Sequence, residues 1–464
     1  MTQRQPKIWM NMTTSANWHR PPVGIVRVEQ SLSRELGKLY GDQFMQCIWS
    51  NGKFEAWSDS ATQPKQTELP KAHNLKPMDL PLVFPLLSKQ QALIAIGQGF
   101  LSLLPGKARP YFNRFLHFMR PRVARFLARP AGKTKKIIPS KVLSAPQQGI
   151  DSDLIFAPGD TLISVGLDWD HPYYKHFYKY RKKGIRVVTC CYDLIPVLYP
   201  QYCVGEVAGL FTSYFLEIAD GSDVVLCISE QSKKDFLGLM HKTGGATPKT
   251  LVIPLGDNIP RLELDRTDVS TDTLDICKEP FILFVSTIER RKNHEVLYRA
   301  YHLLCAEGRR DALPKLVFVG MQGWGVDELL KDIELDPLTR GLIVRVNHVT
   351  DNELRLLYDA ALFCVYPSLY EGWGLPVGEA LALGKAVLSS NRGSLPEVGG
   401  ELVRYIDPWS PRDWADEIYR MTTDEAWRSA WSDKARLHYQ TKTWAATAET
   451  VKATLESELD KAQD

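Results

Sequence analysis

Several features are missing from this chain of 464 residues, and each absence excludes a class of protein. No uninterrupted apolar run reaches about 18 residues, the length that a membrane-spanning helix needs. The eight cysteines include no C-x-x-C pair, so we expect reduced core residues in a cytosolic protein. The net charge is only +3, which does not favour a nucleic-acid partner. The first residues lack the apolar core of a signal peptide, and the chain contains no tandem repeat.

What the chain does contain is two series of short apolar strands that alternate with helical patterns. The first series begins with a strand at 7–12 and a helix at 25–40 and continues over 160–256; the second occupies 280–390. Strands separated by helices of this length form parallel βαβ units. Ligands of such sheets bind beyond the carboxyl ends of the strands. The sequence therefore predicts an α/β protein with two Rossmann-like domains and a cleft between them.

The composition also predicts where the domains begin and end. We expect a first domain at 1–258, with an insertion at about 51–150 where the chain becomes polar and then basic. A polar, aperiodic linker follows at 259–280, and a second domain at 281–440. Residues 441–464 are expected to form a C-terminal helix that can pack back on the first domain.

Within the insertion, residues 93–141 form a basic amphipathic segment. Between 101 and 141 there are eleven Lys or Arg and no Asp or Glu, while apolar residues recur at helical spacing. Four arginines can point away from the apolar face: Arg114, Arg122, Arg125 and Arg129. This pattern is typical of an element that lies on an anionic membrane surface. A core-facing helix with a solvated basic face is the alternative.

The stretch YEGWGLPVGEALALGKAVLSS at 370–390 places a glutamate on each side of a glycine-rich turn. A helix is expected from Pro376, so Glu371 precedes its N-terminus and Glu379 lies about one turn inside it. A helix N-terminus suits a phosphate, and carboxylates accept hydrogen bonds from sugar hydroxyls. The stretch therefore indicates a nucleotide sugar, although a glutamate in a first helical turn can simply be a partner for the helix dipole.

Two further loops belong to the same expected sheet edge. Arg291 and Lys292 follow the strand FILFVST and precede a helix. Cations are unfavourable at a helix N-terminus, so two of them together indicate a bound anion, with solvated surface charges as the alternative. The loop at 348–350 follows the third strand of the second series and is available to contact a nucleotide base.

Two other patterns are typical of different functions. Residues 168–170, DWD, form a D-x-D, but two aspartates flanking a tryptophan more often make a turn or a cap, so we expect no metal cofactor. The glycines in KLVFVGMQGWG at 315–325 follow a strand, but their spacing is not G-x-G-x-x-G and no acid follows at the distance of a dinucleotide site. An oxidoreductase and a catalytically silent scaffold stay as weaker alternatives.

The strongest resemblance to a known family lies in PSLYEGWGLPVGEALALGKAVLSSNRGSLPEVGG, which resembles the C-terminal signature of family 4 glycosyltransferases. STIERRKN is similar to their diphosphate-binding loop, and VTDNELRLLYDAALF to the segment after their base-contacting loop. VGIVRVEQSL, YDLIPVLYP and LCISEQSKKDF resemble segments of mannosyltransferase-like enzymes of O-antigen and exopolysaccharide assembly. The resemblance covers most of the chain outside 51–150 and implies a retaining enzyme of the GT-B fold.

The resemblance also implies roles for individual residues. Glu379 would hold the ribose of the donor, Glu371 the hydroxyls of the transferred sugar, and Lys292 with Arg291 the diphosphate. The other donor-binding positions would be Gly372, Trp373, Gly374, Leu375, Ser286, Thr287, His348 and Val349. The acceptor side of the cleft would comprise Gly24, Arg27, Tyr192 and Asp193. Ser286 and Thr287 stand where many relatives carry an arginine, and Tyr192 where many carry a histidine.

The implied reaction is transfer of a hexose, with GDP-mannose as the expected donor and other GDP- or UDP-sugars left open. The acceptor would be an oligosaccharide linked to polyprenyl diphosphate. Such a reaction needs fixed cations and amides at the leaving oxygen and no protein nucleophile. We therefore expect an enzyme without cofactor or nucleic-acid partner, bound peripherally to the cytoplasmic face of the plasma membrane.

Overall fold

The computed structural model describes residues 4–19, 24–57, 154–205, 207–257 and 269–460. The predicted membrane-contact residues lie outside this part of the chain: Arg114, Arg122, Arg125 and Arg129. Two parallel sheets organise the described residues, one in a first lobe and one in a second lobe. The two-domain α/β architecture predicted from the alternation of strands and helices is therefore confirmed.

The first lobe is built on a sheet of seven strands. They are β1 (Ile8–Asn11), β2 (Phe44–Ser50), β3 (Lys53–Trp57), β4 (Thr161–Ser164), β5 (Arg186–Cys191), β6 (Val224–Cys227) and β7 (Lys249–Val252). Their spatial order is β3-β2-β1-β4-β5-β6-β7, and every neighbouring pair is parallel except β2 and β3. Alternate residues of β1 enter different hydrophobic clusters, Ile8 and Met10 in one and Trp9 in the other, because helices cover both faces.

The hairpin of β2 and β3 corrects the predicted start of the insertion. Residues from 51 onward were expected to leave the domain, but β3 pairs antiparallel with β2 up to Trp57. Asn51 and Gly52 connect the two strands with φ of 50° and 82°. An Asn-Gly pair with both residues at positive φ is the preferred two-residue hairpin turn, and it was the signal that the polar composition concealed.

The helices of the first lobe precede or follow these strands. They are α1 (Thr13–Ala16), α2 (Ile25–Tyr40), α3 (Phe177–Lys182), α4 (Ile195–Leu198), α5 (Val207–Gly221) and α6 (Glu230–Thr243). The N-terminus of α6 faces the second lobe, where the carboxylate of Glu397 accepts hydrogen bonds from the backbone N–H groups of Glu230 and Gln231 at 2.7 and 2.8 Å. A carboxylate is a favourable partner at a helix N-terminus, so this contact ties the lobes together.

The second lobe has a sheet of six parallel strands. They are β8 (Phe281–Val285), β9 (Lys315–Val319), β10 (Ile343–Val346), β11 (Phe363–Tyr366), β12 (Val387–Ser390) and β13 (Arg404–Ile406), in the spatial order β10-β9-β8-β11-β12-β13. The helices are α7 (Thr271–Ile276), α8 (His294–Ala306), α9 (Asp327–Leu335), α10 (Asp351–Ala360), α11 (Leu375–Ala382), α12 (Leu395–Gly399), α13 (Pro411–Thr423) and α14 (Glu425–His438). Helix α7 lies inside the segment expected to be an aperiodic linker.

The last helix, α15 (Trp444–Asp460), returns to the first lobe and packs on α2. Lys452 lies 5.4 Å from the ring centre of Tyr40, and the Thr447 hydroxyl donates to the carbonyl of Pro254 at 2.7 Å. No helix in the described ranges is both long enough and apolar enough to cross a bilayer. Because the strands of each sheet, apart from β3, run parallel, their carboxyl ends share one edge, and loops from the two edges meet.

Candidate active site

The glycine-rich turn between β11 and α11 forms the centre of this meeting point. Gly374 has φ of 116°, and a Cβ there would lie 2.7 Å from the Leu395 side chain. A Cβ at Gly372 would lie 2.6 Å from the carbonyl oxygen of Tyr192 in the first lobe. The Ser232 hydroxyl stabilises this contact between the lobes, because it lies 2.7 Å from the Tyr192 carbonyl oxygen and 3.3 Å from the Gly372 carbonyl oxygen. Gly372 therefore permits the close approach of the two lobes, in addition to any approach of a ligand.

Beside this turn, Glu371 is buried in a cluster of charges. Its Oε2 accepts from Nη1 of Arg291 at 2.7 Å, and its Oε1 accepts from Nζ of Lys292 at 2.6 Å. Nη1 of Arg291 also donates to the carbonyl of Tyr370, and Nη2 to Glu289, both at 2.7 Å. Arg291 is thereby fixed by acceptors on both sides, whereas the one partner found for the Lys292 ammonium among the described residues is Glu371.

Electrostatics keeps this cluster charged. Burial raises the pKa of Glu371, but Arg291 and Lys292 outweigh it and hold the pKa at about 2. Burial lowers the pKa of Arg291, and the carboxylates of Glu371, Glu289 and Asp193 reverse this, so its pKa is raised. An opposite charge within a few ångströms favours the charged form of each partner. Glu371 and Arg291 therefore form an ionised pair.

Asp193 brings the first lobe into this network. It follows β5, and its Oδ1 accepts from the backbone N–H of Ile195 at 3.0 Å. Burial raises the pKa of Asp193, while Arg291 acts against that rise. Three acids, Glu289, Glu371 and Asp193, thus surround two cations, Arg291 and Lys292. The sequence placed Asp193 on the acceptor side, and the structure brings it to the same cations as Glu371.

Glu379 lies inside α11 and is also engaged across the lobes. Its Oε1 accepts from Nη1 of Arg27 on α2 at 3.1 Å, and its Oε2 accepts from the Tyr358 hydroxyl at 3.1 Å. Arg27 further donates to Asp351 at 3.2 Å. Burial raises the pKa of Glu379, and Arg27 and the Tyr358 hydroxyl act in the opposite direction. Arg27 therefore bridges the first lobe to the glutamate expected to hold ribose.

The remaining donor-side candidates are spread around these two glutamates. Ser286 lies at the end of β8, with its hydroxyl 3.3 Å from Nε2 of the buried His294. Burial, with a contribution from Lys292, lowers the pKa of His294 to about 3, so this imidazole is neutral. The others occupy the exposed or half-buried rim of the second lobe: Thr287, Leu375, His348 (φ 58°) and Val349.

The structure also defines the surroundings of three other predicted residues: Tyr192, Trp373 and Gly24. The Tyr192 hydroxyl donates to the carbonyl of Val165 inside the first lobe, so this side chain is core and only its backbone reaches the cleft. The indole of Trp373 is buried, with Nζ of Lys442 4.6 Å from the ring centre. Gly24 has φ of 52° and starts α2, which carries Arg27. Tyr192 directly follows β5 and enters the opposite hydrophobic cluster from Cys191, in keeping with the in–out alternation of a strand.

A pair of buried acids in the first lobe was not identified from sequence as functional. Glu29 on α2 accepts from the backbone N–H of Ser15 at 2.6 Å, and Asp168 accepts from the hydroxyls of Ser164 and Tyr173, both at 2.7 Å. Burial raises the pKa of each carboxyl to about 7, and Asp168 adds to the rise at Glu29. Asp168 belongs to the DWD stretch, and its carboxylate is committed to neighbouring hydroxyls. The described residues contain no group of three or more metal-ligating side chains.

This acid pair predicts a distinct pH dependence of stability. Both carboxyls bind a proton more tightly in the folded protein, with pKa about 7, than in the unfolded chain, where the pKa is about 4. The stability they contribute is full below about pH 4 and is lost as the pH rises to about 7. In Glu29→Gln, the free energy of unfolding should fall less steeply with rising pH, by up to about 1.4 kcal/mol per pH unit. Denaturant unfolding at pH 5.0 and 7.5 measures this difference.

The matched control for Glu29 is the exposed Glu449. The Glu449→Gln variant should follow the wild-type pH dependence, because Glu449 is exposed on α15 and is not part of the buried acid pair. An unchanged pH dependence in Glu29→Gln would contradict the idea that this carboxyl is protonated on folding.

Comparison with known proteins agrees with this geometry. Residues 268–438 match the family model described as glycosyl transferases group 1. Over 269 residues, the chain is 29% identical to the O-antigen chain mannosyltransferase B of Escherichia coli, covering 58% of this chain and 70% of that protein. It is 30% identical to the serotype-specific mannosyltransferase WbdA of Escherichia coli over 57% of this chain and 32% of WbdA. The matched region thus spans about a third of WbdA.

A solved structure supports the fold. The sucrose-phosphate synthase of Thermosynechococcus elongatus superposes with a TM-score of 0.57 and 17% sequence identity, over 99% of this chain and 100% of the other. At that identity the likeness concerns the fold alone. The family match over 268–438, the two facing sheets and the mannosyltransferase relatives together support a glycosyltransferase of the GT-B fold that resembles O-antigen mannosyltransferases.

Proposed function

We propose that this chain is a retaining hexosyltransferase that moves mannose from GDP-mannose to a growing surface polysaccharide. The observation that carries the proposal is the buried Glu371 between Arg291 and Lys292, at the carboxyl edge of the second sheet. A nucleotide sugar has a diphosphate and a hydroxyl-rich sugar side by side, and this cluster offers cations and a carboxylate side by side. Mannose is proposed from the names of the Escherichia coli relatives.

In this proposal, the donor diphosphate takes the place of Glu371 at the Lys292 ammonium. Arg291 stays in position, because the Tyr370 carbonyl and Glu289 also hold it. Glu371 then has an oxygen free to accept hydrogen bonds from the sugar hydroxyls. As the bond between C1 and the phosphate oxygen breaks, negative charge grows on that oxygen, and the fixed Lys292 charge stabilises it. The departing phosphate accepts the proton of the acceptor hydroxyl, which attacks from the same face.

The nucleoside end of the donor is assigned to Glu379 and the 348–350 loop. Ribose hydroxyls would donate to the Glu379 carboxylate, where Arg27 now donates to Oε1 at 3.1 Å. Since Arg27 belongs to the first lobe, donor binding at this carboxylate would loosen or rearrange a contact between the lobes. This couples the occupancy of the donor site to the position of the acceptor side.

Replacement of Glu379 tests this assignment. Glu379→Ala is expected to weaken donor binding by about 1–3 kcal/mol, the cost of losing hydrogen bonds to a charged group, with a smaller effect on kcat. Titration of the nucleotide by calorimetry measures the loss. The control is Glu417→Ala. Glu417 is also buried and paired with an arginine, Arg404, but Glu417 lies on α13 and not on α11. Equal donor affinity in Glu379→Ala and Glu417→Ala would remove Glu379 from the site.

A panel of nucleotides tests the function as a whole. Thermal stability should rise with GDP and GDP-mannose and should not respond to nicotinamide nucleotides, which an oxidoreductase would bind. Release of nucleoside diphosphate in the presence of a lipid-linked oligosaccharide then measures transfer. A larger response to UDP or to another GDP-sugar would change the donor and keep the reaction class, whereas a response to nicotinamide alone would overturn the proposal.

We also propose that the acceptor is carried on polyprenyl diphosphate and that the protein binds the inner membrane face through its basic segment at 93–141. The support is the sequence, with eleven basic and no acidic residues between 101 and 141. Liposome flotation should require anionic lipid and weaken with salt. It should also fall when four arginines become glutamate: Arg114, Arg122, Arg125 and Arg129. Equal flotation of that variant would contradict the membrane role.

A further inference from the structure

A groove with a volume of about 1100 Å³ lies where the first-lobe loop at 201–205 meets α8 and α9 of the second lobe. Its lining includes Trp324, Tyr298 and His302, together with charged side chains of both signs. The volume exceeds the space that a drug-sized ligand normally fills, so it can hold more than one sugar ring. The donor residues Glu371 and Glu379 are absent from its lining.

Trp324 is the most distinctive feature of this groove. Its indole Nε1 donates to the carbonyl of Tyr202 at 2.8 Å, which fixes the ring across the boundary between the lobes. Even so, 41% of the residue is exposed. A large aromatic ring that is held in place and left uncovered is available for packing by the C–H face of a pyranose. Tyr298, half-buried on α8, adds a second ring to the same groove.

The charged side chains of the groove favour a neutral polyhydroxyl ligand. Three acids line it, Glu295, Glu328 and Asp332, against two arginines, Arg290 and Arg299. Carboxylates accept and guanidinium groups donate hydrogen bonds, so the mixture can satisfy many hydroxyls. With three negative and two positive charges, the groove offers no positive surface for a polyanion such as nucleic acid.

The groove also begins beside the ionised cluster of the active site. Arg290, which lines it, directly precedes Arg291 in the chain. Cys203, another lining residue, is close enough to the cluster for its charges to act on the thiol: burial raises the pKa of Cys203, and Arg291 opposes that rise. A chain that ends at the cluster can therefore continue into the groove.

We propose that this groove, called here the lateral groove, binds sugar units of the acceptor glycan that lie beyond its reacting end. The inference rests on the proposed function, because it assumes a glycan acceptor. Stacking on Trp324 and hydrogen bonds to Glu328 and Asp332 would hold the chain while its terminal hydroxyl faces the donor. The groove would thus favour longer acceptors over short ones.

The kinetic test compares mannose oligosaccharides of one and six units that carry the same aglycone. In Trp324→Ala, KM for the six-unit acceptor should rise about tenfold, the equivalent of about 1.4 kcal/mol, while KM for the one-unit acceptor and for the donor stay unchanged. Trp324→Phe keeps an aromatic ring, so its KM for the six-unit acceptor should lie between that of the wild type and that of Trp324→Ala. Trp431→Ala is the control, because Trp431 is half-buried on α14 and is not part of the groove. An equal change for both acceptors would overturn the proposal.

A binding measurement separates the groove from the reaction. Hexamannoside titrated into the donor-free protein, followed by saturation-transfer NMR, should bind the wild type and bind Trp324→Ala and Glu328→Gln more weakly. Equal binding by these variants, or none by the wild type, overturns the groove proposal even if mannose transfer is found. Loss of transfer with every nucleotide sugar would instead refute the proposed function, and the hexamannoside titration would still decide the groove.

Discussion

Lys292→Ala is expected to lower kcat by at least about 100-fold, because it removes a fixed charge from the oxygen on which negative charge develops. The Lys292 ammonium lies 2.6 Å from Glu371, and the lysine side chain is only 18% exposed. A cation in such a partly dry site interacts more strongly with a diphosphate than one in bulk water does. The measurement is the release of nucleoside diphosphate at saturating donor and acceptor.

The control for Lys292 is Lys182, an exposed lysine on α3 that lies near the Tyr178 ring. Lys182→Ala should keep wild-type turnover. Arg291 is a less suitable probe, because it also holds the Tyr370 carbonyl and Glu289 and its loss would disturb the loop itself. Comparable kcat values for Lys292→Ala and the wild type would move the diphosphate site elsewhere.

Glu371→Ala is expected to reduce both turnover and stability. The substitution leaves the largely covered Arg291 and Lys292 without their shared carboxylate, and breaking a buried ion pair typically costs about 3–5 kcal/mol. The sequence assigned this glutamate to the hydroxyls of the transferred sugar, and its contacts with Arg291 and Lys292 give it a structural role as well. Turnover should fall more than donor affinity, because the diphosphate still finds its cations.

This dual role has a measurable consequence in the thermal shift. GDP supplies negative charge to the unpaired cations, so it should raise Tm more in Glu371→Ala than in the wild type. Glu417→Ala, which breaks the pair with Arg404 away from the cleft, should lose stability without gaining a larger response to GDP. If GDP stabilises Glu371→Ala no more than it stabilises the wild type, the exchange of Glu371 for diphosphate is wrong.

The sequence predicted those parts of the molecule that local chemistry controls. Apolar runs of strand length alternating with helical periodicity led to two parallel sheets, because a strand buried on both faces must be apolar along its length. The 370–390 stretch was interpreted from residue types alone, since the glycines and the proline restrict the backbone at the points where a strand turns into a helix. The location of Arg291 and Lys292 at the same sheet edge as Glu371 followed from the rule that parallel strands share one carboxyl edge.

Two other features depended on the fold around them. Tyr192 lies beside Asp193, and the motif alone did not say that its hydroxyl turns inward to Val165. The polar composition after residue 50 suggested an insertion, although pairing with β2 makes 53–57 a strand. Both outcomes depend on neighbours that are distant in the chain, and a single sequence does not identify those neighbours.

The sequence by itself determined the class of fold, the order of the elements and the residue types at the donor edge. Only the tertiary structure decided which charges neutralise one another: Arg27 with Glu379 across 352 positions of the chain, and Arg291 and Lys292 with Glu371 across about 80. It alone showed that Glu29 and Asp168 are buried together and that Trp324 is fixed on the wall of a groove. The physical reason is range, because propensity and periodicity act over a few residues, whereas burial and ion pairing depend on the complete packing of both lobes.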